Sequence, residues 1–147
     1  MIAACAYTVA KAGGNDHTLL SGHDGTVAVW DCRTEQLVTS VAAHTRMVMD
    51  LQLDESLGCL ATASRDDTTK LWHWPSLECA AVFSGQVGVR SVQFDSDKIV
   101  TAANDRSVSV WKFPTAALAA AAERAQAWGM AAGEPEPEPE LLEGGEV

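Results

Sequence analysis

In three stretches of this chain apolar residues fall at every second position. Val27 and Val29, Leu71, and Val108 and Val110 alternate with small or polar neighbours, which is the period of half-buried strands and not of a helix. Polar pairs suited to tight turns, Asp24-Gly25, Asp66-Asp67 and Asp105-Arg106, separate the runs as hairpins require. The pattern predicts one group of strands at 2–9, 18–22, 26–30 and 36–41. It predicts a second at 47–53, 58–63, 68–72 and 78–83, and a third at 89–94, 98–103 and 107–113. The third group is one strand short.

The three groups are copies of one unit. Gly22-His23-Asp24-Gly25-Thr26-Val27-Ala28-Val29-Trp30 aligns with Ser64-Arg65-Asp66-Asp67-Thr68-Thr69-Lys70-Leu71-Trp72 and with Ala103-Asn104-Asp105-Arg106-Ser107-Val108-Ser109-Val110-Trp111. In each, Asp stands six residues before Trp and a hydroxyl residue two after Asp. The tryptophans lie 42 and 39 residues apart, near the ~40–45-residue period of a four-stranded propeller blade.

Those residues and that period resemble the WD40 repeat family. Trp30-Asp31 is the literal dipeptide, whereas the later units end Trp72-His73 and Trp111-Lys112. The resemblance covers about residues 1–113 and implies an all-β chain, an incomplete WD40 β-propeller of about three blades, at about 1–41, 42–83 and 84–114. It also implies a hydrogen-bonded chain inside a blade, with His44, Thr62, Asp66 and Trp72 in its positions in the second repeat. A buried indole brings a donor that must find a partner, which is the physical need such a chain meets. The third repeat has Gln86 at the His position, with Thr101, Asp105 and Trp111 retained, and an amide both donates and accepts. The first keeps Asp24 and Trp30, but counting back from Trp30 puts Leu20 at the hydroxyl position, and no His precedes it.

A His, a hydroxyl and an Asp in one network are also the parts of a hydrolase triad, with Thr62 as nucleophile and His44 as base. No nucleophile elbow or oxyanion-hole signature accompanies them, so the network is read as structural and the chain as not an enzyme. Asp66 and Asp67 diverge in a turn and do not form an acid–base pair. His17, His23 and His73 are scattered, and Cys5, Cys32, Cys59 and Cys79 lie far apart without metal-ligand spacing. No cofactor and no metal are expected, and the cysteines read as reduced thiols of an intracellular protein, cytoplasmic or nuclear.

After the repeats the chain changes character. Thr115 suits an N-cap for an Ala-rich helix over residues 116–132, with Leu118, Trp128 and Met130 as its anchors. Two placements stand open, a cap over the third blade or a loose extension. Residues 133–147 alternate Glu with Pro and are expected to be a disordered acidic tail. That segment explains much of the charge. Of the net −10 over 147 residues, residues 1–114 hold 9 Lys+Arg against 13 Asp+Glu, while residues 115–147 hold one Arg against seven Glu.

The few basic residues form no stripe, which argues against direct contact with nucleic acid. No apolar run is long enough to span a bilayer, and no basic residue precedes the apolar start. Three blades cannot close a ring, so a longer parent protein, a truncated product or completion by other subunits is expected; the missing loop before the first repeat favours an N-terminal truncation. Exposed blade faces would promote self-association or ring completion.

The expected role is a scaffold or adaptor for proteins or peptides, with His23, Arg46, Arg65, Asn104 and Arg106 on the loop face as contact candidates. Val89-Arg90-Ser91-Val92-Gln93-Phe94-Asp95 followed by Lys98-Ile99-Val100 is similar to repeats of F-box/WD40 ubiquitin-ligase receptors, a narrower form of the same role.

Overall fold

A computed structural model describes residues 8–9 and 18–131; the side chains of Thr8, Val9, His23 and 128–131 lie outside that description, as do the chain start and the acidic tail. Among the described residues, eleven strands form three antiparallel sheets. The first holds β1 (Thr8–Val9), β2 (Thr18–His23), β3 (Thr26–Asp31) and β4 (Gln36–Ala42) in chain order. The second holds β5 (Val48–Asp54), β6 (Cys59–Ser64), β7 (Thr68–His73) and β8 (Glu78–Ser84), again in order. The third has β9 (Val89–Phe94), β10 (Lys98–Ala103) and β11 (Val108–Lys112), and helix α1 (Thr115–Ala131) follows it. From Thr18 to Lys112 every strand end lies within one residue of its sequence expectation. Of the expected strand 2–9, only Thr8–Val9 is described.

Turn chemistry sets the register of each hairpin. At Asp24-Gly25 both residues have positive φ (42° and 84°), and His23 pairs directly with Thr26, a two-residue turn of the mirror-image type that Asp-Gly favours. Gly25 is required twice over, because a Cβ there would meet the His44 carbonyl oxygen at 2.2 Å. In the second sheet Ala63 pairs with Thr69, leaving a longer turn in which Asp67 takes the positive φ (70°), and Arg106 does the same in the third (67°). The first sheet's turn is therefore one residue shorter than the others.

The sheets stack face to face through two cores. Leu20, Val27 and Val29 of the first sheet pack on Leu51, Leu60 and Trp72 of the second. Ala61, Ala63 and Leu71 on the second sheet's other face pack on Val89, Val92 and Ile99 of the third. Polar side chains clamp this second junction. The Gln52 amide donates to the Phe94 carbonyl (3.2 Å) and accepts from the Phe94 N–H (2.9 Å), in the manner of a strand backbone. Asp50 accepts from the Val92 N–H (3.0 Å) and from Ser91 (2.9 Å). These bonds satisfy the inner edge of β9, which would otherwise present unpaired backbone.

The helix does not lie across the outer face of the third sheet. It packs on β8 and β7 of the second, with Leu118 joining the core between the second and third sheets and Ala121 fully buried. Arg124 fastens it there, donating to Glu78 (3.0 Å) and to the Cys79 carbonyl (3.2 Å). Phe113 and Leu118 stand two and seven residues after Trp111, as Trp74 and Cys79 stand after Trp72. The helix thus fills, on the side facing the second sheet, the place of a fourth strand, which the third sheet does not have among the described residues. Trp128 and Met130 fall among the side chains outside the described part.

Candidate functional site

The second sheet carries one continuous proton-ordered chain. Trp72 donates its indole N–H to Thr62 Oγ1 at 2.9 Å, and Thr62 Oγ1 lies 2.8 Å from His44 Nε2. His44 Nδ1 lies 2.9 Å from Asp66 Oδ2 and 3.1 Å from Thr68 Oγ1. A consistent assignment follows: Nδ1–H donates to the carboxylate, leaving Nε2 to accept from the Thr62 hydroxyl. Asp66 also accepts from the Thr45 N–H (3.1 Å), the Thr68 N–H (3.1 Å) and the Thr68 hydroxyl (2.6 Å). The carboxylate thereby ties the loop entering β5 to the β6–β7 turn.

Burial disfavours a charged imidazole, so the His44 pKa is lowered, with the neighbouring Asp66 charge only partly offsetting it. For Asp66 the balance runs the other way: burial raises its pKa, but the bonds from Thr68, Thr45 and His44 outweigh that and hold it low. The network is a neutral imidazole on an ionised carboxylate. Thr62 is fully buried and the His44 side chain has no exposed surface.

The third sheet solves the same problem with other atoms. Trp111 donates to Thr101 Oγ1 (3.0 Å), and Thr101 donates to the Gln86 carbonyl oxygen. The Gln86 amide then reaches Ser107 Oγ (2.8 Å) and not Asp105 itself; Ser107 donates to Asp105 (2.5 Å). Ser107 bridges the gap because a glutamine amide does not present two opposed nitrogens as imidazole does. Asp105 still accepts from the Val87 N–H (3.1 Å), and its carboxyl is held below the usual range, first by the Ser107 hydroxyl.

In the first sheet the expected hydroxyl position is corrected. Leu20 is wholly buried in the core, and Trp30 donates to Ser21 Oγ at 2.9 Å. The shorter Asp24-Gly25 turn is the cause: Trp30 faces Leu19 across the hairpin as Trp72 faces Leu60, so the residue two further along is Ser21. Asp24 is exposed and lines the loop face.

At the turn end of the sheets lies an open hollow of about 530 Å³ lined by Asp24, Arg46, Met47, Arg65, Asp67, Val87, Gly88 and Asn104. The fold thus brings together Arg46, Arg65 and Asn104 of the five contact candidates. Arg106 sits in the β10–β11 turn outside that lining, and the His23 side chain lies outside the described residues. Two features of this face carried no sequence signal. Arg90 donates to Asn104 (2.6 Å), and Asp67 accepts from the Gly88 N–H (2.6 Å), joining the second sheet's turn to the loop before β9. Among the described residues, no cluster of His, Cys, Asp and Glu could hold a metal, and no helix is long and apolar enough to cross a membrane.

Stacked antiparallel sheets of three or four strands, each setting a tryptophan N–H against a hydroxyl, define a repeat array of propeller blades. The chain matches the family described as "WD domain, G-beta repeat" over residues 7–31, 35–73 and 77–112. It belongs to the WD40 repeat family. It is 32% identical over 102 residues to the DENN domain and WD repeat-containing protein SCD1 of Arabidopsis thaliana, covering 69% of this chain and 9% of that protein. It is 36% identical over 80 residues to eukaryotic translation initiation factor 3 subunit I of Culex quinquefasciatus, and 40% over 81 to that of Drosophila virilis. Each of those two alignments covers 54% of this chain, and 24% and 25% of the relatives. The chain therefore spans between 9% and 25% of these relatives' length.

Proposed function

We propose that this protein is an intracellular, non-catalytic interaction module whose loop face engages an acidic segment of a protein partner. The observation that carries the reading is the hollow at the turn ends of all three sheets. Arg46 and Arg65 line it, both exposed and neither with an ion-pair partner among the described residues, and Met47 and Val87 add apolar floor. Of its two carboxylates, Asp67 is engaged by the Gly88 amide. Guanidinium groups without a partner are preorganised for carboxylates, which they bind bidentately. Rigid strands behind the turns hold the loops in place, which lowers the entropic cost of binding. The His44–Thr62–Asp66 network supports the structural reading over a hydrolase, because a hydroxyl sealed inside a sheet stack meets no substrate. Membership in a repeat family, with two relatives named as subunits of a larger factor, favours the same role.

The test is an array of extended acidic, neutral and basic peptides probed with the wild type and with an Arg46→Glu, Arg65→Glu double variant. Acidic peptides bound by the wild type should lose at least about tenfold in affinity in the variant, since each tenfold step is worth about 1.4 kcal/mol, with its Tm unchanged. Indifference of the wild type to peptide charge would overturn the reading.

A further inference from the structure

Each sheet has a leading face, on the side of its tryptophan, and a trailing face opposite. Within the molecule the trailing face of the first sheet meets the leading face of the second, and the trailing face of the second meets the leading face of the third. One kind of contact is thus made twice. The described residues leave one face of each kind without a neighbour: the leading face of the first sheet and the trailing face of the third.

The cross-strand register identifies the matching positions. Leu20 and Val29 pair on the trailing face of the first sheet, Ala61 and Leu71 on that of the second, and Val100 and Val110 on that of the third. The first two pairs are at most 5% exposed, whereas Val110 is 66% exposed and Val108, beside it, 68%. Gln93 faces Val100 across the strands as Gln52 faces Ala61. Gln52 grips the backbone of Phe94 in the next sheet, but Gln93 is exposed and, among the described residues, makes no bond to another sheet. Helix α1 sits on the second sheet and leaves this face uncovered.

The opposite end offers the counterpart. Leu19 and Trp30 pair there as Leu60 and Trp72 do, yet both are only half-buried and line an apolar hollow with Asp31, Cys32 and Glu35. Glu35, with φ of 56°, occupies the turn position at which Leu77, with φ of 57°, is buried against the neighbouring sheet. Lys112 continues the trailing face beyond Val110, while at the other end Asp31 is paired with Arg33 (3.6 Å) and Glu35 has no ion-pair partner among the described residues, so Lys112 and Glu35 give the two ends opposite charges.

We infer that the protein associates head to tail with a second copy of itself, the trailing face of the third sheet in one copy covering the Trp30 face of the first sheet in the other. The inference concerns the flat blade faces and goes beyond the loop-face reading, which it neither needs nor uses. Such a contact is heterologous: two different surfaces meet, and each copy keeps one of each.

That asymmetry gives the test. Light scattering or sedimentation of the wild type should show a mass rising with concentration above that of one chain. Val110→Glu blocks the trailing face and Leu19→Glu the leading face, and each variant alone should be monomeric, with its strand circular dichroism retained. Mixed in equal amounts, they should form a one-to-one complex, because each supplies the face the other lacks. A monomeric wild type at all concentrations overturns the inference, whether the faces stay bare, are covered by this chain's own ends or await another protein. Association that survives Leu19→Glu but not Val110→Glu also overturns it, since it means that like faces meet.

Discussion

At the scale of single residues, the stability of the second sheet turns on the protonation of His44. Its lowered pKa means that the unfolded chain takes up a proton first as the pH falls below the ordinary value of 6.5. Stability contributed by the neutral ring is complete above that point and is lost as the pH falls through the lower folded value. A protonated ring would aim a second N–H at Thr62 Oγ1, leaving the Thr62 hydroxyl proton without an acceptor. The Asp66 carboxylate is lost only below its ordinary 3.8, so the interval from pH 7 to pH 5 isolates the histidine. His44→Gln, which installs the residue found at Gln86 of the third sheet, is expected to cost about 1 kcal/mol at pH 7 and to flatten the fall in Tm across that interval. Equal slopes for the variant and the wild type would show that His44 is not the titrating group.

Elements are joined less by their own ladders than by side chains reaching between sheets. Among the described residues β9 has a partner strand on one side only, and the Gln52 amide supplies the other side at Phe94. Gln52→Ala is expected to destabilise the junction by about 1–3 kcal/mol by leaving buried backbone groups unpaired. Hydrogen exchange reads it directly: the Phe94 amide should lose protection while that of Leu71, inside the β7 ladders, keeps its protection relative to global unfolding. Unchanged exchange at Phe94 would assign the junction to apolar packing alone.

Over the whole molecule, the stack behaves as a one-dimensional array in which each sheet depends on its neighbours. The third sheet depends also on α1, which covers part of the core around Phe83 and Trp111, whose rings lie 5.3 Å apart. Removing residues 115–147 is expected to lower stability by about 2 kcal/mol, the worth of burying one leucine-sized side chain, and to raise binding of an apolar dye. A truncated chain with unaltered Tm would show that the helix is a passenger. The strongly raised thiol of Cys59, pushed up to about 12 by burial, fits the packed interior of this same junction.

Much of this was written locally. Alternation at period two, turn residues at fixed offsets and three tryptophans at matched intervals determined the strands, the sheets and the family, because each depends on short-range sterics and on which face of a strand is apolar. The hydrogen-bonded chain in the second sheet was likewise legible in His44, Thr62, Asp66 and Trp72. Ser21 was not, because counting back from Trp30 assumes a turn of constant length and the Asp24-Gly25 turn is one residue shorter. The bridge through Ser107, the grip of Gln52 on Phe94 and the seat of α1 on the second sheet were decided only in three dimensions. The first depends on how the loop before β9 meets the β10–β11 turn within one sheet, and the other two on how one sheet stacks on the next, and alternation along the chain encodes neither.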